Sequence, residues 1–145
     1  MKRKLNWSIF WALVGVFIAF VGIVLGIPLL FQRVLVSGLF LAISGALLLS
    51  LGITLLMLTV KGKTKGIFRK FQLLTGASAV GIPVSILLHN AIYGLFIHFF
   101  GANFWERIGL GDEPFFFILA IIICPIGFLV GVVGSIVLFI KRRQQ

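Results

Sequence analysis

Residues 7–30, 35–60, 75–100 and 114–140 contain no Asp, Glu, Lys or Arg. Each run exceeds the roughly 20 apolar residues that a helix needs to cross the hydrocarbon core of a bilayer. Lipid offers a backbone no hydrogen bonds, so a crossing segment must satisfy its own N–H and C=O groups, as a helix does. The four runs therefore imply an all-α, polytopic membrane protein. Residues 1–145 form one domain of four transmembrane helices in an antiparallel bundle. The composition agrees: 61% of the residues are hydrophobic and 11% are charged, against about 25% charged in a soluble domain.

The first run is too long for the apolar core of a secretory signal, about 7–15 residues, so it reads as an uncleaved first helix. The single cysteine, Cys124, lies inside an apolar run and excludes an internal disulfide and the cysteine-pair chemistry of membrane thiol oxidoreductases.

Thirteen Lys and Arg against three acids leave a formal net charge of +10. Such a balance on a soluble face would suggest nucleic acid. Here the charges fall in short clusters between apolar runs, so nucleic acid is not an expected partner, and membrane lipids are. Lys2, Arg3 and Lys4, then Lys61, Lys63, Lys65, Arg69 and Lys70, then Lys141, Arg142 and Arg143 all fall on one side of a four-span layout. Only Arg33 and Arg107 fall on the other, together with Glu106, Asp112 and Glu113. The positive-inside rule then places both termini and loop 61–70 in the cytoplasm, and loops 31–34 and 101–113 outside a cytoplasmic (inner) membrane. An Asn6-Trp7-Ser8 sequon sits at the cytoplasmic entry of the first run, where glycosylation is not expected. Segment 66–74 mixes basic and bulky apolar residues, and could be a solvated helix start or an interfacial stretch.

Small residues recur at spacings of three and four in three runs. They are Ala12, Gly15, Ala19, Gly22 and Gly26 in the first; Gly38, Ala42, Gly45 and Gly52 in the second; and Ala120, Cys124, Gly127, Gly131 and Gly134 in the fourth. Such seams let membrane helices approach closely. They suggest a tightly packed hairpin of the first two spans, with the fourth closing the bundle. Pro83 and Pro125 lie inside the third and fourth runs, where each removes a backbone donor and tends to kink its helix.

The third run carries most of the intramembrane polarity. Ser85, His89 and Tyr93 are four residues apart and share a helix face, with Asn90 beside it. With the span set at 75–100, His89 is expected near the bilayer midplane, facing another helix. It would be an interhelical hydrogen-bonding group or, with Ser85, Asn90 and Tyr93, part of a site for a quinone or haem cofactor. A haem needs axial ligands; His98 is nine residues on, half a turn out of phase, so one helix cannot supply both. His98, Glu106 and Asp112 could meet at the outer face, but without recognisable metal-ligand spacing. The order Asp112-Glu113-Pro114 reads as a helix start, and Phe104 and Trp105 as interfacial anchors.

No span carries an acid of the kind proton-coupled transporters use, and no phosphate-binding Gly-Lys motif or HExxH occurs. Ser8, Ser37, Ser44, Ser50 and Ser135 have no His and Asp partners to suggest an intramembrane hydrolase. The expectation is a non-enzymatic protein without a resident cofactor or metal. It would act through helix–helix contacts, as an accessory subunit of other membrane proteins or by self-association. The alternatives are a ligand-, quinone- or haem-binding accessory subunit using the His89 face, and an oligomeric channel or transporter for an uncharged solute.

Overall fold

The computed structural model describes residues 2–26, 38–62 and 65–144, and among these every regular element is helical. Helix α1 runs Lys2–Gly26, α2 Gly38–Lys61 and α3 Ile67–Phe100. A short α4, Phe104–Arg107, follows, and then α5, Pro114–Ile118, which passes through a π turn at Leu119–Ile123 into α6, Cys124–Arg143. Among the described residues, four helices are long and apolar enough to cross a membrane: α1, α2, α3 and the continuous α5–α6 rod. The chain thus has the make-up of a multi-pass membrane protein.

Glycines end elements where the backbone must turn left-handed. Gly66 (φ 74°) precedes α3, and Gly101 (φ 93°) follows it, its N–H donating to the Ile97 carbonyl at 2.9 Å. Glycine adopts this region without the Cβ clash that other residues meet. In the fourth rod, Pro125 has no N–H, and its ring crowds the carbonyl four residues back. The rod accommodates this by widening: Cys124 N–H donates to Leu119 O, five residues back, immediately before the proline.

Helix α3 is central. It packs along α2 on one side and along the α5–α6 rod on the other, while α1 lies against α2. The core is built from Phe10, Leu13, Val14 and Phe17 of α1, Leu48 and Leu55 of α2, Ala79 and Ile82 of α3, and Cys124, Phe128 and Val132 of the fourth rod. Phe17 stacks on Phe128 with ring centroids 4.1 Å apart.

The small-residue seams do not meet as a hairpin of the first two helices. A methyl group added at Gly15 or Gly22 would find nothing within 4 Å, and Ala12, Ala19 and Ala42 are exposed. Helix α1 turns its bulky Phe10, Leu13, Val14 and Phe17 inward instead. The α2 seam faces α3: a methyl at Gly52 would come 2.9 Å from Val80 and 3.1 Å from the Gly76 carbonyl, and one at Gly45 3.5 Å from Pro83. The α6 seam also faces α3. A methyl at Gly127 would lie 2.6 Å from Ser78 Oγ, and one at Gly131 2.7 Å from Thr75 N. Gly134 meets the ring of Phe71. The surroundings of Gly26 and Gly38, loop 31–34 and Lys63 lie outside the described residues.

At 1.5 Å per residue, α3 is about 51 Å long, well over the roughly 30 Å of a hydrocarbon core. The fourth rod is offset from it. The fourth rod begins at Pro114, beside His89, so residues 90–100 overhang it by about 16 Å. Helix α4 folds back over this overhang. Trp105 is 7% exposed and stacks on Tyr93 with centroids 6.0 Å apart. Its indole Nε1 donates to the Tyr93 carbonyl at 3.4 Å. Phe96 packs against both Phe104 and Trp105.

Candidate functional site

The site forms where α3 passes the first turn of α5. A helix start leaves backbone N–H groups without intrahelical partners, and a carboxylate just before it can accept from them. Glu113 does this: Oε1 accepts from Phe115 N at 2.8 Å, and Oε2 from Phe116 N at 3.0 Å. Pro114 occupies the first helical position, where a missing N–H costs nothing. Asp112 Oδ1 accepts from Glu113 N at 2.7 Å, which closes the turn. Residue Glu113 is only 5% exposed.

His89 completes the cluster from α3. Its Nδ1 lies 3.1 Å from the Glu113 carbonyl oxygen and 3.3 Å from Glu113 Oε2. Both neighbours are acceptors, which assigns the hydrogen to Nδ1. Its Nε2 lies 3.5 Å from Asp112 Oδ2. Phe117 and Tyr93 flank the ring, with centroids 5.7 and 6.3 Å away.

His89 lies beside the first turn of the fourth rod. Nineteen residues along α3 separate it from Lys70, about 28 Å, nearly a full hydrocarbon thickness. The apolar run 75–100 continues past the start of that rod, and hydropathy does not reveal where a neighbouring helix begins. His89 does face another helix element, but its partners are the two acids before α5.

The other members of the proposed cofactor set do not converge on it. Ser85, 2% exposed, is buried one turn below His89. Tyr93, one turn above, is covered by Trp105. Asn90 points elsewhere: its Nδ2 donates to the Ile86 carbonyl at 2.8 Å, and it lines an apolar cavity of about 490 Å³ bounded by Phe20, Ala42, Gly45, Ile82 and Pro83. Both imidazole nitrogens are directed at Asp112 and Glu113, so a metal or quinone would have to displace those contacts. Asp112 stands at His89, not at the exposed His98. Among the described residues no three His, Cys, Asp or Glu side chains gather as a cation cage.

The sequence motif Asp112-Glu113-Pro114 shows the helix start. That Glu113 also receives His89 is a contact across 24 residues, and nothing local in the sequence marks it. Comparison of the chain with protein-family models, curated proteins and solved structures finds no match.

Proposed function

We propose that this chain is a four-helix bundle of the cytoplasmic membrane, with both termini and loop 61–70 inside, that acts through helix–helix contacts as an accessory subunit or homo-oligomer and without catalysis. One observation carries the reading: the small-residue face of α1, Ala12, Gly15, Ala19 and Gly22, is exposed, and among the described residues nothing packs on Gly15 or Gly22. Small residues in register favour close approach of a second helix in lipid. The His89 cluster, by contrast, is engaged within the chain and acts as a latch between α3 and α5. The test is Gly15→Leu and Gly22→Leu, with self-association followed by energy transfer between labelled copies in liposomes and partner capture followed in mild detergent. The variants are expected to stay folded and lose association. A wild-type protein that is monomeric and unaccompanied in both media would overturn the reading.

A further inference from the structure

Helical hydroxyl and amide side chains can satisfy themselves locally by donating to a carbonyl one turn back in their own helix. Ser44 donates to Phe40 O at 2.6 Å, Thr54 to Ser50 O at 2.7 Å and Thr75 to Phe71 O at 3.0 Å. Thr59 and Ser135 have the same option and make no such bond. Both are fully buried, at 0% exposure.

They belong to a layer that draws one side chain from each long helix: Asn6 of α1, Thr59 of α2, Gln72 of α3 and Ser135 of α6. Asn6 is 7% exposed and Gln72 1%. Each lies on the core-facing stripe of its helix. Asn6 precedes Phe10 and Leu13, Thr59 follows Leu48 and Leu55, Gln72 precedes Ala79 and Ile82, and Ser135 follows Phe128 and Val132. Cross-helix contacts put them at one level. Asn6 Nδ2 donates to Gln72 Oε1 at 3.3 Å. Gly134, next to Ser135, meets Phe71, next to Gln72. Gly76 meets Leu56, and one turn from that contact toward the basic end lie Gln72 and Thr59. Among the described residues, Asn6 Oδ1, Thr59 Oγ1 and Ser135 Oγ are buried without a hydrogen-bond partner, and so is Nε of Arg69, one turn nearer the basic end.

Buried polar atoms in native proteins are almost always paired, with protein or with ordered water. Three orphans in one layer, on three helices, therefore identify a guest that can both donate and accept. The layer itself carries no charge, and Arg69 and Lys70 flank it, which disfavours a cation. We propose that this layer is an internal hydration site. Water there accepts from the Thr59 and Ser135 hydroxyls, donates to Asn6 Oδ1, and exchanges with the basic end past Arg69. The site is separate from the proposed association face on α1, and it gives an otherwise apolar core one polar level at which all four helices are held in register.

The wild-type protein in detergent is exposed to X-ray-generated hydroxyl radicals and analysed by mass spectrometry. Phe10 and Leu55, both 0% exposed and next to the layer, are expected to be modified several-fold faster than Phe128 and Leu48, at 1% each but farther along the core. Equal rates would overturn the proposal. Thr59→Val and Ser135→Ala then supply a sign. If the hydroxyls hold water, each variant melts lower, by about 3 °C or more, and labelling at Leu55 falls. If they are dry orphans, removing them raises the melting temperature, and the proposal fails. Exchange of chloride for gluconate is expected to change nothing. A chloride-dependent melting temperature that Thr59→Val abolishes would assign the layer to an anion instead of water.

Discussion

Replacing Glu113 by Ala tests the latch between α3 and α5, and the geometry sets the magnitude. The carboxylate accepts from two backbone N–H groups of the α5 first turn, and losing such a cap costs about 0.5–2 kcal/mol. It also faces His89 Nδ1 at 3.3 Å. A hydrogen bond to a charged group contributes about 1.5–3 kcal/mol, but only part of that is lost, because Nδ1 keeps the Glu113 carbonyl at 3.1 Å. The expected total is about 2–4 kcal/mol. His89→Leu leaves both cap bonds in place and removes the cross-helix contacts of the imidazole with Glu113 and Asp112, an expected loss of about 0.6–2 kcal/mol. The double variant should fall short of the sum by about 0.5–1 kcal/mol, since one interaction is removed twice. Reversible unfolding in mixed micelles with increasing SDS, followed by tryptophan fluorescence, measures all three; Trp105 lies within the neighbouring aromatic cluster. A His89→Leu loss equal to or larger than that of Glu113→Ala, or strict additivity, would refute the latch.

Two further outcomes follow from the packing and a third from the charge distribution. Gly131→Ala should destabilise more than Gly15→Ala, because the added methyl at 131 meets the backbone of α3, 2.7 Å from Thr75 N, whereas the one at 15 meets nothing; thermal melts in detergent give the order, and equal values would contradict the described α3–α6 contact. Trp105→Ala should cost about 1–3 kcal/mol and speed proteolysis of the 101–113 loop, because it removes the ring that holds α4 to Tyr93; an unchanged cleavage rate would mean the loop is held otherwise. Cysteines placed at Lys63 and Asn103 should react with an impermeant reagent from opposite sides of the membrane, 63 from the cytoplasm; reaction of both from one side would end the four-span topology.

The amino-acid sequence by itself determines the elements. A run of 24 or more uncharged residues has one way to satisfy its backbone in lipid, so the four long helices follow from composition and length. Local chemistry also settles the α5 start, since Glu113 and Pro114 act on backbone groups two or three residues away, and the turn at Gly101, where φ is positive. Spacing shows that Gly127, Gly131 and Gly134 share a face, as Gly15, Ala19 and Gly22 do, because a helix repeats every 3.6 residues. It does not show which face meets which helix: the two stripes look alike in sequence, yet one lies against α3 and the other is open. That choice depends on how Phe10, Phe17 and Phe128 fill the volume between the helices, a property of all four helices together. The pairing of His89 has the same origin. Its place along α3 is readable from the chain, but its partners depend on the offset between α3 and the fourth rod, which is set by the contacts from Phe71–Gly134 to Gly81–Cys124. The polar layer of Asn6, Thr59, Gln72 and Ser135 is the extreme case. Four unremarkable residues, scattered from position 6 to position 135, share one level only because the tertiary structure stacks four helices at a particular register.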